Sequence, residues 1–355
     1  MLDESNIEDI FSNFSKYNPN SIKPYGSGHI NKTYLAETKY NKYILQKVNE
    51  NVFDLKSLLN NYEVLDNYIL SQGLSGKYYP PYVKTSNKQI HHIDSKGSCW
   101  RLSEFLDDST TYQISPSINI THDAGIAMGK FQKLLNGIDP EFFSPTIPDF
   151  HNPQRRLNDY LYAVEKAKSQ KKEKAAGEIS FANSNTIIAE EMSSIVNANH
   201  FMHKLTHNDT KLENILFRDN NYPLVIDLDT VMPGNILFDF GDMVRSITSI
   251  AKEDEKNLSK VEFNIDHFQA LARGYFTPIK SNLHDDEKNN IYSGILSVIY
   301  VQGIRFLTDF LLGNIYYKTS CENHNLDRTK TQFKLLQGVI SKQSEIATIL
   351  DEILV

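Results

Sequence analysis

Cysteine is nearly absent: Cys99 and Cys321 are the only two in a chain of 355 residues. A single pair cannot staple a chain of this length, and no close Cys or His pattern offers a structural zinc site. Both are therefore read as buried or incidental thiols of a reducing compartment. A basic excess is absent too. Lys and Arg number 37 against 44 Asp and Glu, a formal charge of −7, which excludes a general nucleic-acid binder because such a surface must neutralise phosphates. The start, Met1-Leu2-Asp3-Glu4-Ser5, has neither the basic residues nor the apolar run of a secretory signal. The most apolar later stretch, residues 291–312, carries Arg305 and Asp309 and reads as a buried helix rather than a membrane span. The expected location is cytoplasmic, with no membrane or nucleic-acid partner and the oligomeric state left open.

What remains is ordinary globular material, 40% hydrophobic and 23% charged, long enough for about two domains or one two-lobed enzyme. Any phosphate-bearing ligand must be held by a local device. Strand patterns occupy 22–25, 33–38 and 43–48, and Leu55, Leu58, Leu59, Tyr62, Leu65 and Ile69 recur at helical spacing over 55–70. Further strand-like pieces lie at 82–85, 89–93 and 100–105. Beyond Asp107-Asp108-Ser109 the patterns become long and helical, at 122–135, 153–174, 185–205 and 290–312. A Lys-rich run at 166–174 reads as a solvated helix face ending at Ala175-Ala176-Gly177. One hairpin interrupts the helices, with strands 215–217 and 224–228 joined by residues 218–223. The expected fold class is α+β. A small antiparallel sheet lobe with one main helix spans 1–106, and a large mostly helical lobe spans 107–355, joined near 104–110.

The chemistry concentrates in Leu205-Thr206-His207-Asn208-Asp209-Thr210-Lys211-Leu212-Glu213-Asn214, followed by Val225-Ile226-Asp227-Leu228-Asp229. Asp209 and Asn214 sit five apart in a loop entering the hairpin, and Asp227 follows Asp209 by 18 residues at the far end of the second strand. The hairpin folds that end back beside the loop, so three oxygen-bearing side chains converge. Mg²⁺ bound through few protein ligands plus substrate phosphates requires such a set. Phosphoryl transfer needs little more than a carboxylate on the acceptor hydroxyl and oxygen ligands for metal. Asp209 suits the first role, and Asn214 with Asp227 the second. Taken singly, Asp209 could cap a turn and Asp227 could end a strand. Upstream, Gly26-Ser27-Gly28-His29 joins two strands, and its glycines let backbone N–H groups approach phosphate.

With these pieces in order, the chain resembles the aminoglycoside phosphotransferase and choline kinase superfamily, with its protein-kinase-like fold, and within it the N-acetylhexosamine 1-kinases. The resemblance rests on Gly26 to Asn31, Tyr43 to Gln46, Trp100-Arg101, His207 to Asn214, Val225 to Pro233, Phe238 to Asp242 and Arg305 to Asp309. It implies ATP and Mg²⁺ as cofactors and a small-molecule sugar as partner, phosphorylated at its anomeric hydroxyl. Asp209 is then the catalytic base, and Asn214 and Asp227 are the metal ligands. Gly26, Ser27, Gly28 and Gln46 face the nucleotide, and Glu104, Phe105 and Leu106 form the hinge that meets adenine. Asp229, read on the same strand face as Asp227, resembles a metal or sugar position. His29, Arg305 and Tyr316 resemble sugar contacts, although His29 fits a plain loop residue, Tyr316 a core aromatic, and Arg305 a partner of Asp309 at i+4. Asp239 and Asp242 fit a bracing task, accepting backbone hydrogen bonds from the catalytic loop.

One departure stands out. Where kinases carry a phosphate-contacting Lys on the third strand, this chain has Gln46, with Glu63 on the next helix as the possible acid. The hexosamine kinases share a Gln there. Two rivals stay open: a same-fold kinase for another small alcohol, such as an aminoglycoside, choline, ethanolamine or another sugar, and a nucleotide-binding pseudokinase.

Overall fold

The computed structural model describes residues 4–26, 30–198, 203–219 and 221–355. They form two compact units. The first contains the chain up to Thr110, with residues 139–148 and 216–232; the second contains 111–138, 149–215 and 233–355.

The first unit opens with helix α1 (Glu4–Ser12) and strands β1 (Ser21–Pro24), β2 (Lys32–Glu37) and β3 (Lys42–Lys47). Helix α2 (Leu55–Ser71) follows, then β4 (Tyr82–Val83), β5 (His92–Ile93), β6 (Cys99–Glu104) and β7 (Ser109–Thr110). The main sheet is antiparallel in the order β1-β2-β3-β6-β4, with β5 also on β6. Alternation along the strands sends Ala36, Tyr43, Leu45, Trp100 and Leu102 into a core closed by Ile7, Ile10 and Phe11 of α1. The register places Gln46 opposite Thr33 on one side and opposite Arg101 on the other. Helix α2 starts where the Asp54 carboxylate accepts the Ser57 N–H at 2.8 Å. It stops at Gly73, whose φ of +64° lets the Leu74 N–H return to the Ile69 carbonyl at 3.0 Å.

In the second unit, α3 (Ile118–Leu135), α4 (Pro153–Lys166), α5 (Ser169–Lys174), α6 (Ala176–Ser184) and α7 (Ile187–Val196) precede β8 (Lys204–Thr206). The hairpin strands β9 (Ile215–Arg218) and β10 (Asn221–Val225) come next, with β7 pairing onto β9 in the first unit. Helices α8 (Ile236–Ile247), α9 (Ile265–Phe276), α10 (Asp285–Leu312), α11 (His324–Ser341) and α12 (Gln343–Leu354) complete the chain. The close approach of α3 and α9 depends on glycine. A Cβ on Gly129 would lie 2.3 Å from the Tyr275 carbonyl, and one on Gly274 would lie 2.3 Å from that of His122. By length and composition α10 could cross a bilayer, yet most of its apolar window is buried, against α4, α8 and α11.

Three expectations need correction. The helix expected over 153–174 breaks at Ala167, whose backbone is extended. Most of the Lys-rich run is exposed as expected, but Lys171 beyond the break is half-buried: it donates to the Phe310 carbonyl and lies 4.7 Å from that ring. Ala175 is the junction with α6 rather than a helix end. The helix expected over 185–205 ends at Val196, because residues 204–206 form a strand whose Leu205 carbonyl accepts the Gln132 amide at 2.9 Å. The second hairpin strand ends at Val225, earlier than its apolar run suggested. Cys99 is buried and Cys321 exposed, both as free thiols.

Candidate active site

In the second unit β8 delivers the chain into the loop that carries Asp209. His207 and Asn208 are almost fully buried, and Asn208 adopts a left-handed φ of +65°. Such a turn is costly without Gly and must be held. Asp239, near the start of α8, holds it: one carboxylate oxygen accepts the His207 N–H at 2.9 Å and the other the Asn208 N–H at 2.7 Å. The expected bracing geometry is thus found for Asp239, whereas Asp242 instead pairs with Arg245 at 2.8 Å. Gly234 is required here, because a Cβ would sit 2.2 Å from the Thr206 hydroxyl and 2.4 Å from Asn208 Oδ1. His151 donates from Nε2 to the Asn208 carbonyl at 2.7 Å and stacks on Phe238. Its pKa is lowered, chiefly by burial, and both Arg305 and Asp209 act on it electrostatically.

Asp209 is partly buried, and its Oδ2 accepts from Lys211 Nζ at 2.9 Å and from Asn214 Nδ2 at 2.8 Å. Burial pushes its pKa up, but the charge and hydrogen bond of Lys211, with His207 and Asn214, outweigh that and lower it to about 2. The carboxylate is ionised at neutral pH with one oxygen, Oδ1, left for another group. Asn214 spends its amide hydrogens on Asp209, so its carbonyl oxygen is the atom that could meet a cation.

Asp227 and Asp229 lie in the first unit. They do not share a strand face: the strand has ended, Asp227 takes a left-handed φ of +61° and is exposed, and residues 228–230 form a 3₁₀ turn that buries Asp229 to 1% exposure. Asp229 Oδ1 accepts from Arg101 Nη1 at 2.5 Å and from the Tyr62 hydroxyl, and Oδ2 accepts from Asn31 Nδ2 at 2.5 Å. Burial raises its pKa, but Arg101 and these hydrogen bonds reverse the direction and hold it below the usual carboxylate range. Gln46 accepts from Arg101 Nε at 2.9 Å and donates to the Thr33 hydroxyl at 3.2 Å. Glu63 is exposed and is not its partner.

Gly26 has a φ of +77° with open space around it, as a backbone turn toward a ligand requires. Ser27, Gly28 and His29 lie outside the described residues. At the expected hinge, Glu104 and Phe105 give their N–H groups to the Pro81 and Lys42 carbonyls at 3.0 Å each. The Leu106 N–H makes no hydrogen bond among the described residues.

Arg305 is half-buried and makes no ion pair with Asp309 among the described residues. Asp309 instead accepts the backbone N–H groups of Ile315, Tyr316 and Tyr317 at 2.8–2.9 Å, together with the Asn325 amide. Arg305 donates to Gln302 at 3.0 Å and lies 5.8 Å from the Phe150 ring and 5.7 Å from that of Tyr317. Arg156 is near enough that, after burial, Arg305 is the next cause lowering its pKa. Tyr316 is 64% exposed and so is no core aromatic. Sequence reasoning missed Lys211, His151 and the part played by Arg101 and Tyr62. Lys211 lies inside the Asp209 stretch, Arg101 in the Trp100-Arg101 piece and Tyr62 in the helical spacing, but their partners carried no signal in the sequence, and neither did His151.

The model of the family described as "Phosphotransferase enzyme family" matches residues 21–260. Among solved structures, a microcompartment-associated aminopropanol kinase superposes with a TM-score of 0.67 at 14% identity, covering 97% of this chain and 98% of its own. Spectinomycin phosphotransferase in complex with ADP and its antibiotic gives 0.64 at 10% identity, covering 98% of each chain. A choline kinase from Streptococcus pneumoniae gives 0.55 at 13%, covering 95% of this chain and 99% of its own. The small antiparallel sheet followed by a mostly helical part is the kinase-like fold those structures share.

Proposed function

Because the chain belongs to the phosphotransferase enzyme family, we propose that it transfers the γ-phosphoryl group of ATP to a small alcohol. The acceptor we assign is the anomeric hydroxyl of an N-acetylhexosamine, giving the sugar 1-phosphate. The observation that carries this choice is Arg305, half-buried and facing aromatic rings, with no carboxylate partner among the described residues. An aminopropanol or choline acceptor brings a cation, which Arg305 and Arg156 together would repel. A neutral, oxygen-rich sugar gains hydrogen bonds from a guanidinium and stacks on Phe150 and Tyr317.

In this reading Asp209 orients the acceptor through Oδ1 and takes its proton there, while Lys211 and Asn214 hold Oδ2. A carboxylate with a pKa of about 2 is a weak base. The loose transition state of phosphoryl transfer tolerates that, because the hydroxyl acidifies as its bond to phosphorus forms, and an anomeric hydroxyl is more acidic than a simple alcohol. ATP with Mg²⁺ supplies the phosphoryl group and neutralises its charge. Among the described residues no group of three or more His, Cys, Asp or Glu could hold a metal. Mg²⁺ takes one or two carboxylates and completes its shell with phosphates and water. Asn214 and Asp227 are the residues we assign to it. Gly26, the loop after it and the 104–106 segment are assigned to the nucleotide, and His29 and Tyr316 to sugar binding.

The test is an acceptor panel with ATP and Mg²⁺, reading ADP release. N-acetylglucosamine or N-acetylgalactosamine should be turned over well above choline, aminopropanol and aminoglycosides, and Arg305→Ala should raise the sugar KM more than it lowers kcat. Preference for an amine acceptor would overturn the assignment. Stabilisation by ATP–Mg²⁺ without turnover of any acceptor would favour a binding module instead.

A further inference from the structure

A cation ligand needs lone pairs aimed at an accessible site, and in Asp229 protein donors take three of the four lone-pair positions of a side chain that solvent barely reaches. It is 1% exposed, and both oxygens already accept from protein donors. A guanidinium 2.5 Å from Oδ1 also opposes any approaching metal ion. The same contacts tie together the pieces that must stay in register. Arg101 comes from the sheet, Tyr62 from α2, and Asn31 from the backbone leaving the glycine loop. Asn31 is itself fixed, its Oδ1 accepting the Asn49 N–H at 3.0 Å. Beside them the Thr146 hydroxyl donates to the Asp229 carbonyl at 2.8 Å, and the Asn61 amide to that of Val231 at 3.0 Å. Two residues before this clamp stands Asp227 in a left-handed conformation that a non-glycine residue rarely adopts unaided.

We propose that Asp229 and Arg101 are a buried positioning pair that sets the Asp227 turn and the exit of the glycine loop, and that Asp229 neither ligates metal nor touches the acceptor. The proposal rests on the reading above, in which Asp227 holds Mg²⁺. It also accounts for Gln46. Arg101 supplies the fixed cation of this sheet, and Gln46 steadies it through Nε; a Lys at 46 would put a second positive charge against it.

The experiment compares wild type with Arg101→Met, Asp229→Asn and the double variant. It reads the melting temperature with and without ADP–Mg²⁺ and the Mg²⁺ concentration giving half-maximal turnover. Each single substitution leaves a buried group without its partner, so each should lower the melting temperature and raise the half-saturating Mg²⁺ about tenfold or more. The double variant removes both charges while Asn keeps its place beside Tyr62 and Asn31. It should regain most of the melting temperature and return the Mg²⁺ requirement to within about threefold of wild type. Tyr62→Phe, which removes one donor and keeps the ring, should shift both readouts in the same direction by less. A double variant as defective toward Mg²⁺ as Asp229→Asn, with Arg101→Met unaffected, would make Asp229 a ligand and overturn the proposal. A rise in acceptor KM alone, at unchanged melting temperature, would overturn it in favour of a sugar contact. If wild type shows no Mg²⁺-dependent stabilisation or turnover, the phosphotransfer reading fails, and recovery of melting temperature in the double variant still tests the pair separately.

Discussion

Asp239→Asn separates what a buried carboxylate does for the catalytic loop from what it costs the fold. Asp239 is 3% exposed, and burial, opposed by the His207 and Asn208 N–H groups, pushes its pKa from 3.8 up to about 7. A folded pKa above the unfolded one means that this group's contribution is fully present below pH 3.8 and is lost as pH rises through 7. At about 1.4 kcal/mol per pH unit, a gap of about three units amounts to about 4 kcal/mol by pH 8. Asn carries no charge at any pH and avoids that loss. Its single carbonyl can serve only one of the two N–H donors, and the unmet one costs about 1–3 kcal/mol. The two effects have opposite signs and different pH dependence. About 1.7 kcal/mol of that loss is already present at pH 5, so the variant should be more stable than wild type by about 1–3 kcal/mol at pH 8 and within about 1 kcal/mol of it at pH 5. Turnover should fall about 10- to 100-fold at both pH values, because the left-handed turn before Asp209 loses a tether worth about 1.4–2.7 kcal/mol in the transition state. Urea melts at the two pH values and steady-state kinetics test this. A stability difference that stays the same from pH 5 to pH 8, with kcat unchanged, would contradict this.

On the proposed role of Asp209, Asp209→Asn should lower kcat about 10²- to 10⁴-fold with little change in either KM, read by steady-state kinetics. Arg245→Met strands the buried Asp242 carboxylate 2.8 Å from the lost guanidinium, while Glu253 is freer to meet water. It should cost about 3 kcal/mol, at the lower end for a broken buried pair, measured by denaturation. Gly129→Ala improves helix propensity by about 1 kcal/mol. It also drives a methyl into the Tyr275 carbonyl 2.3 Å away, so α3 and α9 must part. Overpacking of about 1–3 kcal/mol should outweigh the gain and lower the melting temperature.

Local pattern carried far in this chain where neighbours in sequence are also neighbours in space. The period-two strands of the sheet and the period-3.6 face of α2 were legible because each is set within its own segment. Asp209 and Asn214 were legible because a single loop holds both. Contacts between distant segments were not. Arg101 and Asp229 stand 128 residues apart, and His151 meets the Asn208 carbonyl from 57 residues away. Tyr62 was legible as a buried position of α2, but the direction of its hydroxyl depends on that same distant carboxylate. Asp227 misled in a different way. Ile226-Asp227-Leu228-Asp229 alternates like a strand, yet the chain has already turned left-handed at Asp227 and goes on into a 3₁₀ turn. The strand at 204–206 was hidden likewise, since its Leu205 carbonyl is satisfied by Gln132 of α3 rather than by the next turn of a helix.

The most direct measurement is the phosphorus NMR spectrum of the product formed from ATP, Mg²⁺ and N-acetylglucosamine or N-acetylgalactosamine. A single new phosphomonoester coupled to the anomeric proton is expected, absent with Asp209→Asn on the same timescale. Phosphate on the 6-hydroxyl, or turnover only with an amino alcohol, would contradict it.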